Sequence, residues 1–134
     1  MRAYEIGPAA WREKFEACLG KEFSEPGYFE VHHLLVLCYM IQCDAYSDEY
    51  REKAHELLRE FNRGLPPAEI LRRTRTAFGK LEGSRLRKET GTEVNESRWG
   101  MTVLDLRIDR AEHYRDDVRR WAAHVEAVLD EGKG

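Results

Sequence analysis

The middle of this 134-residue chain carries an almost unbroken apolar run: Val31-His32-His33-Leu34-Leu35-Val36-Leu37-Cys38-Tyr39-Met40-Ile41-Gln42. A helix that is apolar on nearly every side is enclosed by other elements instead of lying at the surface. We therefore predict a helix over about 26–44 that forms the buried centre of a bundle. Pro26 would begin this helix and Ser24 could cap it.

Amphipathic helices are predicted on both sides of this central helix. A first apolar stripe follows Pro8 and consists of Trp11, Phe15, Cys18 and Leu19. Ser47 could cap a third helix that ends at Asn62-Arg63-Gly64, and Pro66-Pro67 could begin a fourth. A final helix over about 110–131 is indicated by the stripe Tyr114, Val118, Trp121, Val125 and Val128.

Glycines at 79, 83, 91 and 100 lie among charged residues and predict a long charged loop over 79–100. Two capping boxes follow, Thr102 with Asp105 and Asp109 with Glu112. A β-strand over 101–108 is the alternative, because apolar residues partly alternate there. We therefore predict one all-α domain over 1–134. It is a bundle of four main helices, and a fifth short helix is an open possibility.

Composition excludes several classes of protein. No apolar run approaches the roughly 20 residues that span a bilayer, and the first 20 residues lack a secretory layout. Three cysteines without a C-x-x-C pair argue against a disulfide framework or a zinc ribbon, and they indicate free thiols in the cytoplasm. With 42% apolar residues, the chain can form a core, which argues against disorder.

The net charge of −3 conceals an uneven distribution. Residues 63–88 contain eight basic and two acidic groups, so this basic segment carries +6 and the rest of the chain −9. Phosphate binding is one interpretation of such a segment. Phe78 is its only aromatic residue, however, and base stacking has little support. Pairing with the acidic remainder is the simpler interpretation, and nucleic acid is not an expected partner.

Polar residues interrupt the apolar run on one side. At about 100° per residue, His32, Tyr39 and Cys43 fall on one stripe with Gln42 at its edge. An unpaired buried polar group costs about 1–3 kcal/mol, so each is expected to have a partner. They either tie the central helix to its neighbours or line a polar cavity.

The final helix offers a second polar cluster, His113, Asp117, Arg120 and His124, beside its apolar stripe. Asp117 lies four residues after His113, so a carboxylate–imidazole pair could orient a general base. A solvated helix margin is the alternative. Neither His32 nor His33 has a metal-ligating residue at i+3 or i+4, and no nucleophile or phosphate-loop motif is present. No cofactor or metal is expected, and enzyme activity stays undecided.

Two segments resemble the signatures of an uncharacterised bacterial family, a domain of unknown function. The first is His32, six residues, Tyr39, two residues and Gln42; the second runs from Trp99-Gly100 through Thr102 and Asp105, followed by Val118-Arg119-Arg120-Trp121. The resemblance covers about residues 18–129. It implies that the signature positions of the family are His32, Tyr39, Gln42, Thr102, Asp105 and Trp121. The usual Gln-His-Pro of that family is Gln42-Cys43-Asp44 here.

We therefore predict a small binding or interaction domain with a polar pocket between the central and final helices. Its candidate residues are His32, Tyr39, Gln42, Cys43, Asp105, Trp121 and His124. One alternative is an enzyme that uses His and Asp as acid–base groups, with or without a metal; another is nucleic-acid or acidic-partner binding by the basic segment. The partner is unknown, a homodimer is open, and no membrane association is expected.

Overall fold

The computed structural model describes residues 7–64, 66, 69, 72 and 96–131. These ranges contain four α-helices: α1 (Ala9–Ser24), α2 (His32–Gln42), α3 (Asp48–Asn62) and α4 (Ala111–Glu131). Three short 3₁₀ turns cover Phe29–Val31, Glu96–Arg98 and Val103–Asp105. Within the described ranges there is no β-strand, so the all-α prediction is confirmed and the strand alternative for 101–108 is wrong.

Helix α2 is the central helix, as its apolar run predicts. Eight of its eleven residues are buried, and it packs against both α3 and α4, which also pack on each other. Burying a Leu or Ile side chain contributes about 1.5–3 kcal/mol, so this enclosed helix supplies much of the driving force for folding. Among the helices that the structure describes, none is long and apolar enough to cross a membrane.

The connection from α1 to α2 differs from the prediction. Ser24 is the last residue of α1, and its Oγ donates to the Gly20 carbonyl at 2.6 Å, so it does not cap α2. Gly27 has φ +91°, a left-handed conformation that ends the helical path. The chain then forms the Phe29–Val31 turn, and α2 begins at His32, six residues later than predicted.

The ends of α3 follow the sequence in part. The predicted stop is confirmed, because α3 ends at Asn62 and Gly64 adopts φ +99°. Ser47 occupies the N-cap position, but its buried Oγ makes no hydrogen bond within the described residues. The prediction that its side chain caps α3 is therefore wrong.

The predicted fourth helix lies mostly outside the described residues. Glu69 and Arg72 are helical, and the Arg72 Nε donates to Glu69 at 3.1 Å. Residues 79–95 of the predicted loop also lie outside the description. At the end of that predicted loop, Glu96–Arg98 form a 3₁₀ turn and Trp99 is buried.

Candidate functional site

Tyr39 and Cys43 belong to the core. Tyr39 is fully buried and stacks on Phe15 with ring centroids 4.1 Å apart. Burial raises the pKa of the Tyr39 hydroxyl and raises the pKa of the Cys43 thiol to about 12. Both groups therefore stay protonated at neutral pH and hydrogen-bond with each other. This part of the predicted stripe holds α2 against α1.

Gln42 and His124 hold the segment that begins at Trp99. Gln42 Nε2 donates to the Met101 carbonyl at 2.8 Å, while His124 Nε2 accepts the backbone N–H groups of Gly100 at 3.1 Å and Met101 at 3.3 Å. A ring nitrogen that accepts carries no proton, so these bonds require neutral His124. The two side chains, from α2 and α4, thus bind the same backbone segment.

Trp121 and Asp105 are the two remaining candidates besides His32. Trp121 is fully buried, and its Nε1 has no hydrogen-bond partner within the described residues. Asp105 is exposed; its Oδ2 accepts the Thr102 N–H at 2.9 Å, and Thr102 Oγ1 accepts the Leu104 N–H at 3.2 Å. The predicted Thr102–Asp105 capping box is confirmed, and it begins the Val103–Asp105 turn.

The capping box gives a modest, testable effect on stability. Replacing Thr102 by Ala removes the side-chain acceptor, and we expect the free energy of unfolding to fall by about 1 kcal/mol. Thr102→Ser keeps the hydroxyl and should stay close to wild type in the same urea titration. Equal stabilities of the Ala and Ser variants would show that this box contributes nothing.

His32 is only partly buried, unlike the candidates Tyr39, Gln42, Cys43 and Trp121. Its Nδ1 lies 2.6 Å from Oε1 of Glu22, whose side chain is fully buried, and 18% of the imidazole side chain is exposed. The second oxygen of Glu22, Oε2, accepts the Tyr114 hydroxyl. Cys18 hydrogen-bonds with that same hydroxyl. The four side chains join α1, α2 and α4 through one buried carboxylate.

Burial identifies two of the hydrogen-bond donors in this cluster. Burial raises the pKa of Tyr114 and raises the pKa of Cys18 to about 12, so both groups are donors. The Tyr114 hydroxyl donates to Glu22 Oε2 and accepts from Cys18, and Glu22 Oε1 lies within hydrogen-bond distance of His32 Nδ1. A carboxylate that fixes one ring nitrogen leaves the other, Nε2, as the nitrogen that can meet a ligand.

Two phenyl rings surround this imidazole. Phe29 stacks on His32 with centroids 4.6 Å apart, and Phe23 meets its edge at 5.5 Å. Phe23 and Phe29 lie 5.4 Å from each other and are 69% and 45% exposed. Phe23, Phe29 and His32 together are called the aromatic surface below.

Glu22 was missed by the sequence analysis, although the chain contains a signal for it. The stripe Trp11, Phe15, Cys18 continues with the same spacing to position 22. A carboxylate at the next position of a buried stripe indicates a buried charge that needs partners. Those partners lie 10 and 92 residues along the chain, beyond the reach of local spacing.

A separate cleft of about 400 Å³ lies where the Phe29–Val31 turn, the end of α3 and α4 meet. Its lining within the described residues consists of Glu30, Val31, Phe61, Asn62, Gly64, Pro66, Arg119 and Ala123. The cleft thus lies between the regions predicted as the central and final helices. None of the seven candidate residues appears in this lining.

The His113–Asp117 pair that was predicted for the final helix is not formed, because each residue has another partner. Asp117 is buried and binds Arg107 through the backbone N–H at 2.9 Å, Nε at 3.0 Å and Nη2 at 3.0 Å, and it also binds Arg120. His113 pairs instead with the exposed Asp109 at 3.1 Å. In the described part of the chain, no three His, Cys, Asp or Glu residues are grouped to hold a metal ion.

The comparisons with known proteins give a family without an activity. No curated protein and no solved structure matches the chain. A family model described as a family of unknown function, DUF5946, matches residues 7–130. This match spans nearly the whole chain and includes both the α2 run and the segment from Trp99 to Trp121. The chain therefore belongs to the DUF5946 family of unknown function.

Proposed function

We propose that this protein is an interaction domain that binds another protein chain through the aromatic surface. The observation that carries the proposal is the exposure of two neighbouring phenyl rings, 69% for Phe23 and 45% for Phe29, around an imidazole held by a buried carboxylate. Exposed apolar side chains that cluster mark interaction sites more often than single ones do.

The exposure of Phe23 favours a macromolecular partner over a small molecule. Small ligands bind in concave sites that cover most of their surface. A phenyl ring that is 69% exposed stands out from the surface and fits a pocket on a partner. Aromatic anchors of this kind commonly supply much of the binding energy of a protein interface.

His32 adds a directional contact to these apolar anchors. Its ring is held by Glu22 on one edge and by the stacked Phe29 on one face, so little side-chain entropy is lost when it binds. Nε2 accepts a hydrogen bond when the ring is neutral and donates one when it is protonated. A partner with an apolar pocket next to one polar group would match this arrangement.

A cytoplasmic location belongs to the same proposal. Cys18, Cys38 and Cys43 are free and buried. Free thiols are usual in reducing compartments, and disulfides are usual in oxidising ones. An interaction domain with three unpaired cysteines is suited to a cytoplasmic partner.

Position-specific photocrosslinking tests the interaction. A photoreactive phenylalanine analogue is placed at Phe23, at Phe29 or at Leu104 in cells that produce the full chain. Leu104 is the matched control, because it is apolar, 49% exposed and outside the aromatic surface. We expect the same partner to be captured from positions 23 and 29 and not from 104; no capture, or equal capture from 104, would contradict the proposal.

A binding measurement with the captured partner gives the size of the effect. Phe23→Ser is expected to weaken its affinity for the chain by roughly tenfold or more, because an interface loses an anchor. Leu104→Ser should leave the affinity unchanged. A crosslinked product of twice the chain mass would identify a second copy of the chain as the partner and would support the same surface.

A further inference from the structure

We propose that the cleft beside α4 binds a free α-amino acid with an apolar side chain. This site shares no residue with the aromatic surface and goes beyond the proposed interaction. Its volume of about 400 Å³ lies within the range of small-molecule sites, roughly 300–1,000 Å³. The class of ligand follows from the charges at the rim of the cleft and from its apolar residues.

The rim carries one negative and one positive side chain. Glu30 and Arg119 both line the cleft, with Oε1 and Nη2 3.5 Å apart, and each side chain is about half exposed. Arg115 approaches the other oxygen of Glu30 at 3.4 Å. Exposed pairs of this kind contribute little stability, so they can open for a ligand.

These charges are complementary to a zwitterion. An α-ammonium group would bind the Glu30 carboxylate, and an α-carboxylate would bind the Arg119 guanidinium, which is suited to two parallel hydrogen bonds. A ligand with both groups replaces the opened pair on both sides. A simple amine leaves Arg119 without a counter-ion, and a simple anion leaves Glu30 with Arg115 alone.

The remaining lining suits an apolar side chain. Val31 is buried, Phe61 is partly buried, and Ala123 leaves space because its side chain is only a methyl group. Asn62 is held in place, since its Nδ2 donates to the Ala122 carbonyl at 3.2 Å and to Glu126 at 2.8 Å. An aliphatic group can therefore pack on Phe61 and Ala123 beside the Glu30–Arg119 pair.

A three-ligand titration of the full chain tests the ligand class. The probes are L-leucine, isocaproate, which lacks the ammonium group, and isoamylamine, which lacks the carboxylate. We expect L-leucine to bind roughly tenfold tighter than either analogue and to perturb the NMR signals of residues 30, 62, 119 and 123. No binding, equal binding of an analogue, or perturbations elsewhere would overturn the proposal.

Variants then locate the site. Ala123→Phe fills the cleft from an exposed helical position, and Glu30→Gln removes the ammonium partner; each should weaken L-leucine binding by roughly tenfold or more. Asp130→Asn is the matched control and should leave L-leucine binding unchanged. Asp130 lies near the end of α4, is also about half exposed, and pairs with Arg59 of α3 at 3.6 Å.

Circular dichroism confirms that each variant folds before it is titrated. If both cleft variants bind L-leucine like wild type, the proposal is wrong. Phe23→Ser should leave L-leucine binding unchanged, so failure of the proposed interaction and failure of this cleft site can be distinguished.

Discussion

Replacing Glu22 by Ala is expected to lower the free energy of unfolding by at least about 1–3 kcal/mol, the cost of a buried polar group that loses its hydrogen-bond partner. The Glu22 side chain accepts a hydrogen bond from Tyr114, shares one with His32 and is itself inaccessible to solvent. Its removal leaves the buried Tyr114 hydroxyl without its acceptor and opens a cavity between α1 and α4. Urea denaturation at neutral pH measures the loss.

Two further variants separate charge from position. Glu25→Ala removes the exposed carboxylate one turn later, which pairs with Lys21 at 2.6 Å, and should change stability by less than about 1 kcal/mol. Glu22→Gln keeps the shape and one acceptor, and a loss of about 1–3 kcal/mol is expected. A Glu22→Ala variant as stable as Glu25→Ala would show that the cluster around His32 does not support the fold.

Asp117 is expected to make stability depend on acid pH. Burial opposes its charge, but hydrogen bonds from the Arg107 side chain and backbone and from Arg120 outweigh burial and hold the pKa of Asp117 at about 2. A carboxyl group whose pKa is lower in the folded chain stabilises the fold above its ordinary pKa of about 4. That contribution is lost as pH falls from about 4 to about 2.

Asp117→Asn is therefore expected to lower the free energy of unfolding by about 2 kcal/mol at pH 7, from the linkage between this pKa difference and stability. The difference between wild type and variant should narrow below about pH 4, because protonation then removes the same charge in wild type. Asp116→Asn, at the exposed neighbouring position, is the control. A stability difference between wild type and Asp117→Asn that does not change with pH would contradict the lowered pKa of Asp117.

The helices that the sequence predicted well are those whose apolar pattern is long. The run over 31–42 is enclosed as expected, and the final stripe gives α4 within one residue of its predicted start. The start of α2 was harder to predict from the sequence. The left-handed Gly27 and a 3₁₀ turn interrupt the backbone where a continuous helix was expected. Such a change in backbone path depends on how α4 packs there: Arg115 Nη1 donates to the Gly27 carbonyl at 2.8 Å.

The candidate site was predictable only where a residue stands out from its own helix. His32 was found because it interrupts an apolar run, but its partners Glu22 and Tyr114 come from two other helices. For Asp117, spacing suggested an imidazole partner, whereas the chain brings Arg107 to it from ten residues earlier. Helical spacing predicts which residues are neighbours on one helix. It does not predict which residues of another element will contact them.

The short turn at Phe29–Val31 belongs to both surfaces at once. It contributes Phe29 to the aromatic surface and Glu30 and Val31 to the cleft, and Arg115 and Arg119 of α4 hold it through Glu30. A ligand that draws Glu30 away from α4 would therefore displace the neighbouring phenyl ring. Binding at the two places would then be coupled, and by thermodynamic reciprocity each ligand would change the affinity for the other by the same factor.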